Sequence, residues 1–209
     1  MGDLEMRIDK LEEAEMHYRE AEDVYRRVHA DRGLANVLVA MGDLERRTGK
    51  LEEAEMHYRE AEDVYRRIHE DLGLANVLMA MGDLELRTDK LEEAEIHYRE
   101  AMNLYRKVYD DLGLANVYQS MGDLLQRKKE YCQAIEPYKE AVTLYKKIMD
   151  NMGLVYSSAE LCYCYMKVGE SEKAFSYAQQ VINLCKNSPY ENVKSYCIWK
   201  IKNAISNLK

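Results

Sequence analysis

Proline and phenylalanine are nearly missing from this chain: two prolines, one phenylalanine and only ten glycines are spread over 209 residues. Alternating β-branched runs are absent too, so β-sandwiches and doubly wound sheets with glycine-rich loops are excluded. No uninterrupted apolar stretch of about 18 residues occurs, nor a signal peptide or lipidation motif, which excludes a membrane-inserted segment. Cysteine is sparse and oddly placed. Cys132, Cys162, Cys164, Cys185 and Cys197 all lie in the last two fifths and show no C-x-x-C spacing. Reduced thiols in a cytoplasmic protein are the expectation. A glycine-rich phosphate loop, a His-Glu-x-x-His and a Gly-x-Ser-x-Gly are all lacking, so the chain reads as non-catalytic, without cofactor or metal.

What is present is a helical vocabulary. Seventeen tyrosines and twelve methionines sit among 33% charged residues, interleaved with Ala and Leu. An apolar content of 47% supplies a core and argues against disorder. The formal charge of -8 is uneven: residues 1–120 hold 17 Lys/Arg against 29 Asp/Glu, whereas residues 121–209 hold 13 against 9. An acidic body opposes binding to nucleic acid, which needs clustered cations to displace counterions. It favours a neutral or basic protein partner.

Shifting the chain against itself by 40 residues exposes its organisation, because residues 1–40 and 41–80 differ at only seven positions. Met-Gly-Asp-Leu recurs at Met1, Met41, Met81 and Met121, and Gly-Leu at Gly33, Gly73, Gly113 and Gly153. A period of this size indicates stacked units that bury their faces against one another. Within one period, Leu51, Ala54, Tyr58, Ala61, Tyr65, Ile68 and Leu72 step by three and four, which predicts a helix that Gly73 would stop. The partner helix is predicted over 74–87, with Leu74, Val77, Leu78, Met81 and Leu84 on one side and small Ala75 and Gly82 admitting a close neighbour. Thr48-Gly49-Lys50 and Thr88-Asp89-Lys90 are the turns between them.

Leu38, Met41, Gly42, Ala54, Tyr58 and Ala61, and again Leu78, Met81, Gly82, Ala94, Tyr98 and Ala101, resemble the signature of the tetratricopeptide repeat family. Glu45 stands where that family usually has Tyr, and Arg66 where it usually has Pro, giving a 40-residue unit. Units of this length look like those of Pins-type scaffolds, kinesin light chain and the sensor arrays of NLR-like or STAND-type ATPases. The resemblance implies an all-α, right-handed superhelical solenoid of antiparallel helix pairs that binds a protein or peptide in its concave groove.

One solenoid domain is expected, with an incomplete first repeat at 1–33, repeats at 34–73, 74–113 and 114–153, a divergent repeat at 154–188 and a capping helix at 190–208. Met1 falls in the middle of a first helix, as in a fragment of a longer array or an end needing cover. Pro137, which replaces the His of earlier units, is expected to kink its helix where its N–H is missing.

His17, His57 and His97 are a repeat apart, about one helix diameter (~10 Å), while Zn–N bonds need about 2.1 Å. They are read as solvated or stacking histidines. Cys162 and Cys164, two apart on a helix, face different ways and read as buried thiols as readily as a site. Glu52-Glu53 and Glu92-Glu93 open helices, where they complement the helix dipole rather than perform acid catalysis.

The candidate binding face is the polar side of the first helix of each pair. It offers Asn36, Val39, Asp43, Arg46 and Arg47, then Asn76, Met79, Asp83, Leu86 and Arg87, then Asn116, Gln119, Asp123, Gln126 and Arg127. An asparagine side chain donates and accepts as a peptide unit does, so a ladder of them suits an extended backbone. Asp and Arg four apart can pair with each other or clamp a ligand, and Val39, Met79 and Gln119 would select side chains. The competing readings are structural: the asparagines cap helices or bridge repeats, and Asp43 with Arg47 is an internal ion pair. At the level of the whole chain the alternatives are a self-assembling array, through end-to-end stacking or an acidic part meeting a basic part of another copy, and the sensor arm of a larger signalling ATPase or effector.

Overall fold

The computed structural model describes residues 2–186 and Trp199. Among the described residues every element is a helix: α1 (Gly2–Arg27), α2 (Asp31–Thr48), α3 (Leu51–Ile68), α4 (Asp71–Arg87), α5 (Leu91–Val108), α6 (Asp111–Arg127), α7 (Tyr131–Lys147), α8 (Asn151–Lys167) and α9 (Ser171–Lys186). They form two compact units, Met1–Val108 with α1–α5 and Tyr109–Lys209 with α6–α9. In each, consecutive helices pack as antiparallel pairs joined by turns of two or three residues. The capping helix expected at 190–208 lies outside the described residues, apart from exposed Trp199.

The apolar stripes read from the sequence are the surfaces that pack. Ala54, Tyr58, Ala61 and Tyr65 of α3 are buried, as are Leu34, Val37, Leu38, Met41 and Leu44 of α2. Alanines at 54, 61, 94, 101, 134 and 141 are fully buried, so helices approach until backbone nearly meets side chain. Tyrosine fills what remains: the Tyr98 ring lies over Gly82, where an added Cβ would sit 2.5 Å from the ring.

The helix stops differ from the sequence expectation. Gly73, like Gly33, Gly113 and Gly153, is not a stop but lies in the first turn of the next helix. There it leaves room for a tyrosine of the preceding helix, Tyr65 over Gly73 and Tyr145 over Gly153. The helices end earlier, at residues in left-handed backbone: His29, His69, Tyr109 and Met149 at φ 54 to 60°. His69 donates its N–H to the Arg66 carbonyl. This αL ending satisfies terminal carbonyls but strains a residue bearing a Cβ, which explains why the glycine, the usual signal, misleads. Three of the four helices after these stops are capped by Glu70, Asp110 and Asp150, whose side chains accept backbone N–H groups of the first turn, while α2 starts at Ala30 without a side-chain cap.

Residues 2–10 belong to α1, one helix of 26 residues. Pro137 sits inside α7, which runs through it from Tyr131 to Lys147. In the second unit α8 is the most enclosed element, burying Val155, Ala159, Leu161, Cys162, Cys164 and Tyr165. Burial pushes the Cys162 thiol up to about 11, which leaves it protonated and inert at neutral pH.

Candidate functional site

The polar face of α2, α4 and α6 carries the predicted residues, and tyrosines from the paired helices organise them. Tyr65 Oη donates to Asn36 Oδ1 at 2.6 Å, Tyr105 to Asn76 at 2.8 Å and Tyr145 to Asn116 at 2.7 Å. The asparagines therefore do bridge helices, through the carbonyl. Their amide N–H donors meet no protein acceptor among the described residues, and Asn36 and Asn76 are exposed. A hydroxyl that locks the oxygen orients the amide, so each asparagine presents donors in a fixed direction.

The aspartates are held by a second set of tyrosines. Tyr58 Oη donates to Asp43 Oδ1 at 2.8 Å, Tyr98 to Asp83 at 2.8 Å and Tyr138 to Asp123 at 2.5 Å. The expected Asp43 pairing with Arg47 gives way to one with Arg46, whose Nη2 lies 3.3 Å from Asp43 and whose Nε donates to Tyr58 Oη at 3.2 Å. Tyr58 accounts for the choice, because its hydroxyl lies within reach of Arg46 and not of Arg47. Burial works against the Arg46 charge, yet the Tyr58 bond and the fields of Asp83 and Asp43 outweigh it and raise its pKa. Desolvation and Asp43 raise the Tyr58 pKa well above that of free tyrosine. Arg47 is exposed and makes no ion pair among the described residues. Arg87 Nη1 instead donates to the Arg46 carbonyl at 2.7 Å, linking consecutive pairs of the first unit. Arg127 is exposed on α6.

The side-chain selectors differ in freedom. Val39 is half-buried and makes no polar contact, Met79 Sδ receives Tyr105 Oη at 3.7 Å, and Gln119 Oε1 receives Ser157 Oγ at 3.1 Å. Gln126 is more engaged still, donating to Tyr138 Oη and to Glu160 Oε2 at 2.6 Å each, with Glu160 almost wholly buried.

Sequence reasoning missed one feature. His57 and His97 are not solvated: His57 Nδ1 lies 2.6 Å from Glu45 Oε2, and His97 Nδ1 2.6 Å from Glu85 Oε2, with both carboxylates buried. The hydrogen bond to Glu85 raises the His97 pKa against the opposing effect of burial. The signal was available twelve residues apart. Where His becomes Pro137, Glu becomes Leu125, and in the last pair the same positions are Tyr165 and Tyr177, whose rings stack at 5.6 Å. Among the described residues no group of three or more His, Cys, Asp or Glu is placed to hold a metal ion, and no helix is long and apolar enough to cross a membrane.

A family model for the tetratricopeptide repeat matches residues 1–67 and 73–147. The chain belongs to the tetratricopeptide repeat family. No curated protein matches it significantly. Among solved structures, BtubC from P. vanneervenii is 20% identical with a TM-score of 0.81, covering 88% of this chain and 76% of its own. The STAND signal-transduction ATPase with a tetratricopeptide repeat sensor from Pyrococcus horikoshii is 16% identical with a TM-score of 0.77, over 93% of this chain and 28% of that one. The nearly identical TPR-like repeats of a Podosopora anserina kinesin light chain are 11% identical with a TM-score of 0.69, over 88% and 92%. At these identities the likeness concerns the fold: an all-α helix-pair repeat, of a family whose members generally serve protein interaction.

Proposed function

We propose that this chain is a non-catalytic scaffold or sensor module whose first helices bind an extended peptide segment of a protein partner. The observation that carries the reading is the asparagine ladder, with each carbonyl held by a tyrosine and each amide left with donors toward solvent. Such donors match the carbonyls of a peptide backbone and place few demands on its side chains. A repeat step of ~10 Å spans about three extended residues at ~3.3 Å each. Val39 and Met79 supply apolar contact in the first unit, and Arg47 an unengaged cation. In the second unit Asn116 plays the same part, and the engagement of Gln119 and Gln126 makes that stretch more rigid.

Removing an asparagine alone would also strand a buried tyrosine hydroxyl and so confuse binding with stability. The informative variants change both partners, N36A/Y65F and N76A/Y105F, since replacing donor and acceptor together is nearly neutral for folding. Extended peptides selected from a displayed random library against the full chain should bind at least ~10-fold more weakly to the combined variant, with helicity unchanged. Equal affinity would remove the ladder from the binding site.

A further inference from the structure

The other helices of the first unit carry a feature that groove binding does not use. Met16 of α1, Met56 of α3 and Ile96 of α5 occupy the same position of successive repeats and are 60%, 66% and 64% exposed. Isolated exposed apolar residues are ordinary, but these form a row. Ion pairs link successive repeats at both ends of it: Lys50 with Glu15 and Lys90 with Glu55 at 3.0 Å, Arg26 with Glu60 at 2.7 Å and Arg66 with Glu100 at 2.8 Å. When the repeat sequence diverges here, Met56 becomes Ile96 and stays apolar. In α7 of the second unit the position is Glu136, and the row does not recur.

On α3 the charge left unpaired beside the row has one sign. Glu52, Glu53 and Asp63 lie on the same side of the helix as Met56, within about 60° of it at 100° per residue. All three are exposed and have no ion-pair partner among the described residues. The neighbouring cation, Arg59, is already neutralised by Glu55 at 2.5 Å, and its counterparts Arg19 and Arg99 by Glu15 at 2.6 Å and Glu95 at 2.7 Å. The surface thus presents apolar side chains spaced by one repeat in an unbalanced negative field.

We propose that this face docks a basic amphipathic helix of a partner protein, lying across α1, α3 and α5. The row offers side chains but no free backbone groups, so a ligand that satisfies its own backbone hydrogen bonds fits it better than a strand. Successive repeats stand about one helix diameter (~10 Å) apart, and a helix rises ~1.5 Å per residue. Apolar residues at every seventh position of the partner therefore meet Met16, Met56 and Ile96 in turn, while Lys or Arg on its flanks reach Glu52, Glu53 and Asp63. Two of the three anchors are methionine, whose unbranched, polarizable side chain adapts to different apolar partners.

The test uses the full chain and a labelled synthetic helical peptide of about 21 residues, with Leu at every seventh position flanked by Lys and Arg. Fluorescence anisotropy should show binding that weakens with salt, and the variant M16E/M56E/I96E should lose at least ~10-fold in affinity. All three residues are exposed, so the variant keeps its helicity, which circular dichroism checks. A peptide of identical composition with scrambled apolar spacing should bind no better than the variant does. Unchanged affinity in M16E/M56E/I96E overturns the proposal. So does loss of binding in N36A/Y65F with N76A/Y105F instead, which would place the peptide on the asparagine face. If the chain without peptide self-associates and M16E/M56E/I96E abolishes this, a second copy is the occupant and the proposal of a foreign helix fails.

Discussion

Tyrosine is the residue that joins fold to site in this molecule. Tyr98 packs its ring against Gly82, is completely buried, and still delivers its hydroxyl to Asp83 on the candidate face. Tyr105 is buried likewise and ends on Asn76. A change in packing under the ring is thereby a change in the position of the acceptor above it. Gly82→Ala isolates this coupling, since the new Cβ would lie 2.5 Å from the ring and something must move. Helix propensity favours Ala by about 1 kcal/mol, yet overpacking costs about 1–3 kcal/mol. The expected net effect is a destabilised protein, seen as a lower urea midpoint with an unchanged slope. A raised midpoint would mean that the ring relaxes freely and that ring and acceptor are not coupled. Gly49 is the contrast, because it holds φ 86° with nothing within 4 Å of its added Cβ, and Asp89 and Lys129 adopt positive φ at the same repeat position.

At the scale of the helix pair, the α2–α3 and α4–α5 hairpins are each tied by an apolar seam and by a Glu–His pair at its side. Glu85 with His97 is such a pair, half-buried and 2.6 Å long. The His97 pKa is raised on folding. The protonated form therefore stabilises the fold: its contribution is complete below the unfolded value near 6.5 and fades as pH rises through the higher folded value. The melting-temperature advantage of the wild type over H97Q should be larger at pH 6 than at pH 8.5. An advantage that is constant or grows with pH would show that the pair acts only as a neutral hydrogen bond. Pairs of this kind explain how far the sequence could be read. Helix faces were legible because Ala54, Tyr58, Ala61 and Tyr65 recur at helical spacing and all proved buried. The candidate face was legible too, since Asn36, Asp43 and their copies share one side of each first helix. What was not legible depends on contacts between helices. Nothing local distinguishes Arg46 from Arg47 as the partner of Asp43 until Tyr58 arrives from α3. In the same way His69 ends a helix in left-handed backbone, and Gly73 is needed for a ring and not for a turn.

For the molecule as a whole, the question that decides between scaffold and self-assembling array is what the charges do between copies. Residues 1–120 are acidic and 121–209 basic, so a self-assembling array would have to join the acidic part of one copy to the basic part of another, an attraction strongest at low ionic strength. Within the first unit, however, many cations are spent on internal pairs: Arg66 bridges Glu62 and Glu100, and Lys107 reaches Asp71. In the second unit Lys147 reaches Asp111. Exposed pairs of this sort contribute about 0–1 kcal/mol each, but they leave fewer free cations to meet another copy's acids. At physiological salt the screening length is about 8 Å, which leaves little long-range attraction. Light scattering coupled to size exclusion should therefore give a constant mass near 24.5 kDa across a wide concentration range at physiological salt. Constancy leaves both the asparagine face and the Met16–Met56–Ile96 row open to foreign partners. A mass that climbs with concentration and falls with salt would reassign the function to self-assembly, and both faces would then have to be treated as surfaces the protein fills for itself.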